Sequence, residues 1–513
     1  MSPELFVVLD DGEPPVPVAG SGVQVDLLAT AEGLHINVAG PDRPLSRVAV
    51  RWPHMASADP LVLGDAWERS YGDLGWQRPD PGRPLPWSFV LYDRTAGAAI
   101  GRGVRVRPNT FCHWTIEPGS ITLWLDFRNG GSPVRLGDRL LHAATVVEVQ
   151  GDEGESPWSV QRRLARAMCD DPLRPSEPVV GSNNWYYAYG VDFGPKEILR
   201  DASIIVELAD GHRVRPYTVV DAGWSPGGDC PGGPWTHGIP GLFDDMPGLA
   251  EEIAARGARP GIWVRPTALS FVDDESRLRE GPRPAAQQPL DLTLEENLET
   301  IRASVERLVG WGYELVKHDF STYDVFGRWG FEFGRAMTDA GWSFADNSLT
   351  NAEILLRLYR VLRAAAGDAV LIGCNTVGHL AAGLVELQRI GDDTSGREWE
   401  RTLKMGVNTL PFRLAQHETF FMADADCVPC TPQTPWEKNR QFLDLVARSG
   451  TPLFLSVDPE GRTPQADRDM RAALRVALDG GTPGGVEPLD WLETRSPSRY
   501  RAGSETVTYT WTG

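Results

Sequence analysis

The chain has 513 residues, 41% hydrophobic and 23% charged, so it has the composition to bury a sizeable core and does not read as disordered. Its 70 acidic and 50 basic residues leave a formal charge of −20, which argues against nucleic acid or an anionic membrane as the main partner, because little is present to neutralise phosphates. No run approaches about 18 consecutive apolar residues, and the opening MSPELFVVLDDGEPP has no basic stretch and no long apolar one, so neither a membrane span nor a secretory signal is expected and the reading is cytoplasmic.

The first ~170 residues carry short β-rich runs: VQVDLLATA, LHINVAG, LSRVAVRW, WSFVLYD, ITLWLDF and LHAATVVEVQ. Gly, Pro and Asp punctuate them, as in NGGSP (129–133). Regular short strands with such turns predict an antiparallel β-sandwich over 1–170. Within it, GDAWERSYGDLGW (64–76) is rich in Trp and charge. Two placements stay open for it: over the mouth of the following domain, or in a subunit contact. A helical stretch, SVQRRLARAM, leads into the Pro-rich DDPLRPSEP (170–178), read as the domain boundary.

From residue 179 apolar runs alternate with longer amphipathic stretches. Eight strand candidates follow in order: VVGSNNW, YTVVDAGW, PGIWVRP, YELVKHDF, AVLIGCN, LQRIGDD, TFFMADAD and PLFLSVDP. Helical stretches such as LEENLETIRASVERLVGWG and NAEILLRLYRVLRAAAG separate them. Eight such units over 179–483 match a (β/α)8 TIM barrel in count and length. A doubly wound open sheet would want a dinucleotide or phosphate fingerprint, and none is visible. The tail, 484–513, holds one alternating run and reads as a short C-terminal β appendage. The expected class is therefore multidomain, β plus α/β.

In such a barrel the C-terminal strand ends form the active face. Here they carry Asn183, Asn184 and Trp185; Asp221 and Trp224; Trp263 and Arg265; Lys317, His318 and Asp319; Cys374 and Asn375; Arg389, Asp392 and Asp393; Asp424, Asp426 and Asp458. Carboxylates, amides and indoles in one rim suit sugar chemistry, where two carboxyls do the work and indole faces match sugar C–H faces. Any single strand-end Asp is equally well a helix N-cap or turn former. His318 alternates with Lys317 and Asp319, so it should face away from them and pack. Cys112, Cys169, Cys230, Cys374, Cys427 and Cys430 are scattered as reduced thiols are. The CVPC at 427–430 lacks a second ligand pair for zinc.

Several of these stretches resemble the alpha-galactosidase superfamily of retaining glycoside hydrolases (clan D), in particular its bacterial and plant branch with the raffinose-synthase-like proteins. VKHDF (316–320) is similar to that family's nucleophile strand, and RIGDDT (389–394) to its acid/base segment. FFMADADC (420–427), LIGCN (371–375), NNWYYAY (183–189), VVDAGW (219–224) and PGIWVRP (260–266) follow the family's order across about residues 180–460. The resemblance implies a retaining, exo-acting hydrolase of a terminal α-linked sugar, an α-galactoside or related pyranoside. It implies Asp319 as nucleophile and Asp393 as acid/base, with Asp393 raised in pKa so that it starts protonated. It implies Trp185, Asp221, Trp263, Lys317, Cys374 and Arg389 as sugar-binding residues. No cofactor and no metal are implied, and the expected partner is an oligosaccharide or glycoside. A transglycosylase, a non-catalytic carbohydrate-binding barrel and a homo-oligomer stay open as alternatives. One departure stands out: Ala222 occupies the place of the family's second paired aspartate, which leaves the identity of the sugar open.

Overall fold

The computed structural model describes residues 3–40, 43–55, 57–227, 232–283 and 288–511. Up to Gln150 the chain forms two six-stranded antiparallel sheets. One runs in the order Val16–Pro17, Glu4–Val8, Arg47–Pro53, Ser120–Asp126, Phe111–Glu117, Leu85–Pro86. The other runs Gln24–Thr30, Gly33–Gly40, Gly137–Gln150, Ala98–Val104, Ser88–Asp93, Pro60–Gly64. Val48, Val50, Trp114, Leu123 and Ile36 are fully buried in the core that includes both sheets.

Six of these twelve strands, Glu4–Val8, Val16–Pro17, Pro60–Gly64, Leu85–Pro86, Ala98–Val104 and Phe111–Glu117, were not anticipated. Phe111–Glu117 is buried at six of its seven positions, so it shows no polar alternation. Ala98–Val104 (AAIGRGV) carries two glycines, normally poor strand residues. The reason is helix α1 (Pro157–Met168), which lies on that strand. A Cβ on Gly101 would sit 3.1 Å from the Leu164 side chain, and one on Gly103 would sit 2.4 Å from Met168 sulfur. The glycines give up strand propensity for close helix packing.

A nine-stranded parallel sheet follows: β1 (Val180–Asn183), β2 (Tyr217–Val220), β3 (Arg259–Val264), β4 (Leu315–His318), β5 (Val370–Gly373), β6 (Leu387–Arg389), β7 (Met422–Asp424), β8 (Cys427–Cys430) and β9 (Leu453–Val457). Its order is β7-β6-β5-β4-β3-β2-β1-β9-β8. The two ends, β7 and β8, are consecutive in the chain and separated by Ala425 and Asp426. The sheet thus fits a (β/α)8 barrel whose seventh strand is broken in two. The break falls at Asp426, which takes φ +73°, a left-handed conformation that a strand cannot contain. The seventh expected strand, 419–426, is therefore shorter than its apolar pattern, and CVPC is a strand in its own right. Helices α2 (Pro195–Leu208), α3 (Met246–Ala255), α4 (Glu295–Gly310), α5 (Asn351–Ala366), α6 (Trp436–Ser449) and α7 (Pro464–Leu478) alternate with the strands.

Strand alternation sorts side chains to the two faces of this sheet. Tyr217, Val219, Leu315, Ile372, Leu387, Cys427 and Phe454 form one cluster, while Val220, Val316, Leu371 and Cys430 join the larger core that includes the helices. Cys427 and Cys430 thus face opposite sides. Five cysteines are free and buried; Cys230 lies outside the described residues. His318 is fully buried, 3.2 Å from Ser321 Oγ and beside the Tyr359 ring of α5. Burial takes its pKa down to about 4, so it packs as a neutral ring. The C-terminal residues form a three-stranded antiparallel sheet, Val486–Pro488, Arg499–Ala502 and Glu505–Thr508. Among the described residues no helix is long and apolar enough to cross a membrane.

Candidate active site

The C-terminal strand ends surround a cavity of about 290 Å3. Of the eight site residues expected from sequence, Trp185, Asp221, Trp263, Lys317, Asp319 and Asp393 line it. Cys374 and Arg389 do not; both are fully buried beneath its wall. Asp458 follows the bland reading and caps a short helical turn, accepting from Glu460 N.

Asp319 follows β4. Its Oδ2 accepts from Trp263 Nε1 at 3.2 Å and its Oδ1 from the Phe320 amide at 2.8 Å. Phe320 takes φ +61°, an unusual value for a bulky residue. The loop is pinned from below: Arg265 Nε donates to Asp324 Oδ2 at 3.0 Å, and the same guanidinium lies 4.2 Å under the Phe320 ring. Burial works to raise the Asp319 pKa, but Arg69 and Lys317 outweigh it and hold the carboxyl below its usual range. Lys317 Nζ donates to Asp221 Oδ2 at 2.7 Å, and Asn183 Nδ2 donates to the same oxygen at 2.5 Å. The Lys317 ammonium is thus committed to an ion pair within the wall.

Asp393 sits on the loop after β6. Gly391 lets that loop approach residues 403–407, since a Cβ there would meet Met405 O at 2.3 Å. Arg389 Nη2 donates to Asp393 Oδ1 at 3.1 Å and lies 2.9 Å from Asp426 Oδ2. Arg389 therefore orients the Asp393 carboxylate from behind. Burial favours protonation of Asp393, yet Arg389, Arg69, Lys317 and Arg401 together hold its pKa well below the carboxylate range. This corrects the expectation of a raised pKa: the surrounding cations favour the ionised form of both carboxyls. Arg389 and Arg401 are near Asp393 in sequence, whereas Lys317 comes from β4 and Arg69 from the N-terminal region.

The 64–76 segment takes the first of its two placements, over the barrel mouth. Ser70 pairs with Gly391: its amide donates to Ile390 O at 2.8 Å and its carbonyl accepts from the Asp392 amide at 2.8 Å. Arg69 Nη2 lies 2.8 Å from Asp392 Oδ1 and its Nη1 4.0 Å from Asp393 Oδ1. Arg401 holds the other Asp392 oxygen at 2.7 Å. Arg69, Tyr71, Trp329, Phe331, Asp392 and Arg401 complete the wall. Arg69, Tyr71, Trp329, Phe331 and Arg401 were not anticipated. The one available signal was the charge and Trp density of 64–76.

Glu68 secures this docking. It accepts from Tyr71 Oη, from the Gly330 amide at 3.2 Å and from Asn375 Nδ2 at 2.8 Å. Burial raises its pKa to about 7. The folded form thus holds more protons than the unfolded one between about pH 4.5 and 7, so stability falls as pH rises through that window. Glu68→Gln should flatten that part of the thermal-stability profile, whose amplitude is on the order of 3 kcal/mol. An unchanged pH slope in melting curves would remove this role from Glu68.

No family model matches the chain. Solved structures do resemble it. One is the alpha-galactosidase TtGalA from Thermus thermophilus, in complex with p-nitrophenyl alpha-D-galactopyranoside, at 20% identity and a TM-score of 0.63 over 95% of this chain and 99% of that one. Another is a variant of the GH36 alpha-galactosidase AgaA from Geobacillus stearothermophilus with 1-deoxygalactonojirimycin, at 16% identity and 0.60 over 93% and 73%. A third is AgaB of the same organism, at 16% and 0.60 over 93% and 72%. The architecture of this chain, antiparallel sheets followed by a curled parallel sheet, is the fold of the GH36 alpha-galactosidases.

Proposed function

We propose that the protein is a retaining, exo-acting glycoside hydrolase of a terminal α-linked sugar. The observation that carries this reading is one small cavity, on an alpha-galactosidase fold, that presents two carboxyl groups, Asp319 and Asp393, from separate strand ends. Asp319 attacks the anomeric carbon. Asp393, in the molecules where it has taken up a proton from solvent, gives that proton to the departing oxygen and then takes one from the attacking water, which releases the sugar with its configuration kept. The cavity is at the small end for ligand sites and suits a single pyranose unit. Trp185 and Trp263 offer apolar wall, and Lys317 with Asp221 offers bonding to hydroxyls.

A panel of nitrophenyl glycosides tests the reading, with the first-formed anomer read by proton NMR. An α-linked pyranoside should be cleaved to the α-anomer. Release of the β-anomer first would overturn retention, and no cleavage across the panel would overturn the activity. The panel should contain an α-galactoside and the pentopyranoside of the same ring configuration without the C6 group. Ala222 in the wall removes a carboxylate that would otherwise bind sugar hydroxyls, and each such charge-assisted bond is worth about 1.5–3 kcal/mol.

The Arg69 side chain should set the pH response of this reaction. Arg69→Gln takes a cation away from both carboxyls, so both pKa values rise. The kcat/KM profile should move to higher pH by about one unit, and Arg69→Lys should restore much of it. A profile that loses height without moving would reduce Arg69 to a packing role.

A further inference from the structure

A second cavity, of about 380 Å3, opens elsewhere on the molecule. Three separate parts of the chain build it. Helix α1 and the segment after it supply Arg162, Arg166 and Arg174; the loop before β7 supplies His417 and Glu418; the glycine-rich turn 480–485 closes it. His417–Thr419 precede β7, and Gly450 precedes β9. The cavity therefore lies at the N-terminal ends of the parallel strands. Asp319 and Asp393 follow the C-terminal ends, so the two sites are on opposite faces.

Arginines in this acidic chain usually have partners. Arg163, in the same helix, is 2.6 Å from Glu155. Among the described residues Arg162, Arg166 and Arg174 have no carboxylate within 4.0 Å and donate no hydrogen bond to the protein. Glu418 lies in the wall but pairs with none of them. His417 adds no cation, because burial, aided by Arg162, takes its pKa down to about 4. All three arginines are exposed and line the same concavity, with no carboxylate among the described residues paired to them.

A glycine-rich turn forms another part of the wall. Gly480, Gly481, Gly484 and Gly485 all have φ between +73° and +88°. At Gly480, Gly484 and Gly485 an added Cβ would meet nothing within 4 Å, so backbone conformation rather than crowding calls for glycine. The amides of Gly480, Gly481, Thr482 and Gly485 donate to carbonyls of the chain and Pro483 has none, so the turn offers a ligand only the Gly484 N–H. The turn is fixed in place: the Thr482 amide donates to Arg448 O at 2.9 Å, and a Cβ on Gly481 would lie 2.5 Å from Gly450 N.

We propose that this basal pocket binds a small phosphate-bearing anion. Guanidinium forks match phosphate oxygens in pairs, and a concavity of this size admits a small molecule rather than a duplex or a helix. The source is either inorganic phosphate or a phosphorylated metabolite, and the test separates them. Inorganic phosphate, pyrophosphate and glucose 6-phosphate are titrated into the full-length protein by calorimetry, at low and high salt. At least one should bind saturably with 1:1 stoichiometry and weaken as salt rises. Binding of the ester well above inorganic phosphate identifies a metabolite; equal binding identifies the free anion. The double variant Arg162→Gln/Arg166→Gln, and Arg174→Gln alone, should each weaken binding about tenfold or more, while the melting temperature without ligand and the glycosidase kcat/KM stay as in the parent. No saturable binding of any probe, or equal affinity in the arginine variants, overturns the proposal.

Discussion

Asp319→Gly is expected to lower kcat/KM on an activated α-glycoside by about 1000-fold or more, and added azide should return part of it. The carboxylate is the attacking group in the proposed reaction, and loss of a covalent nucleophile removes the whole two-step route. What surrounds it stays in place. The Trp263 indole N–H and the Phe320 amide, which both donate to Asp319, are left without an acceptor beside a space the size of a carboxylate. A small anion fits that space and attacks from the same face, so the product should be the β-glycosyl azide. Absence of rescue, on a substrate whose leaving group needs no acid, would count against Asp319. A fluorosugar adduct found by mass spectrometry on another residue would remove the assignment outright.

The second large effect is at Asp393. Asp393→Ala should slow alkyl glycosides by about 100-fold or more, yet slow the first step little with a dinitrophenyl leaving group, which departs without a proton. Equal losses on both would contradict the acid role. The pH profile carries the same information. Four cations lower the pKa of the Asp393 carboxyl, and the alkaline limb of kcat/KM reports the free enzyme's acid. That limb should therefore lie on the acid side of neutrality in the parent protein and vanish in the alanine variant. The same electrostatics favour the second step, in which Asp393 acts as a base.

How much of this was legible beforehand can be argued residue by residue. The barrel strands were readable because a parallel strand is buried on both faces and leaves a short apolar run, as in VLIG and LFLSV. Asp319 and Asp393 were readable because each ends or follows such a run. The missed features have a common cause: they depend on what approaches from elsewhere. The strand AAIGRGV was not among the expected runs, and its glycines are accounted for only by the packing of helix α1. Asp426 breaks the seventh strand while collecting Arg389, Thr394 and Tyr186 around its carboxylate. Arg389 looked like a sugar ligand but has its charge committed beneath the wall. The Asp393 charge state was misjudged because Arg389, the cation with the largest effect on it, was read as a sugar ligand, and because Arg69 comes from the N-terminal region.

The docked 64–76 segment also has a consequence for how this molecule can be divided. The barrel, cut free at the Pro-rich boundary, would keep Asp319, Asp393 and the strands that hold them. It would lose Arg69, Tyr71 and the Ser70 pairing that fixes the Asp392 loop. Such a fragment is a different acid–base system on the same scaffold, with its optimum displaced and its mouth open to water. Grafting this barrel behind a foreign sandwich would face the same difficulty. The unit that can be transplanted, recombined or inherited intact is therefore the pair of domains.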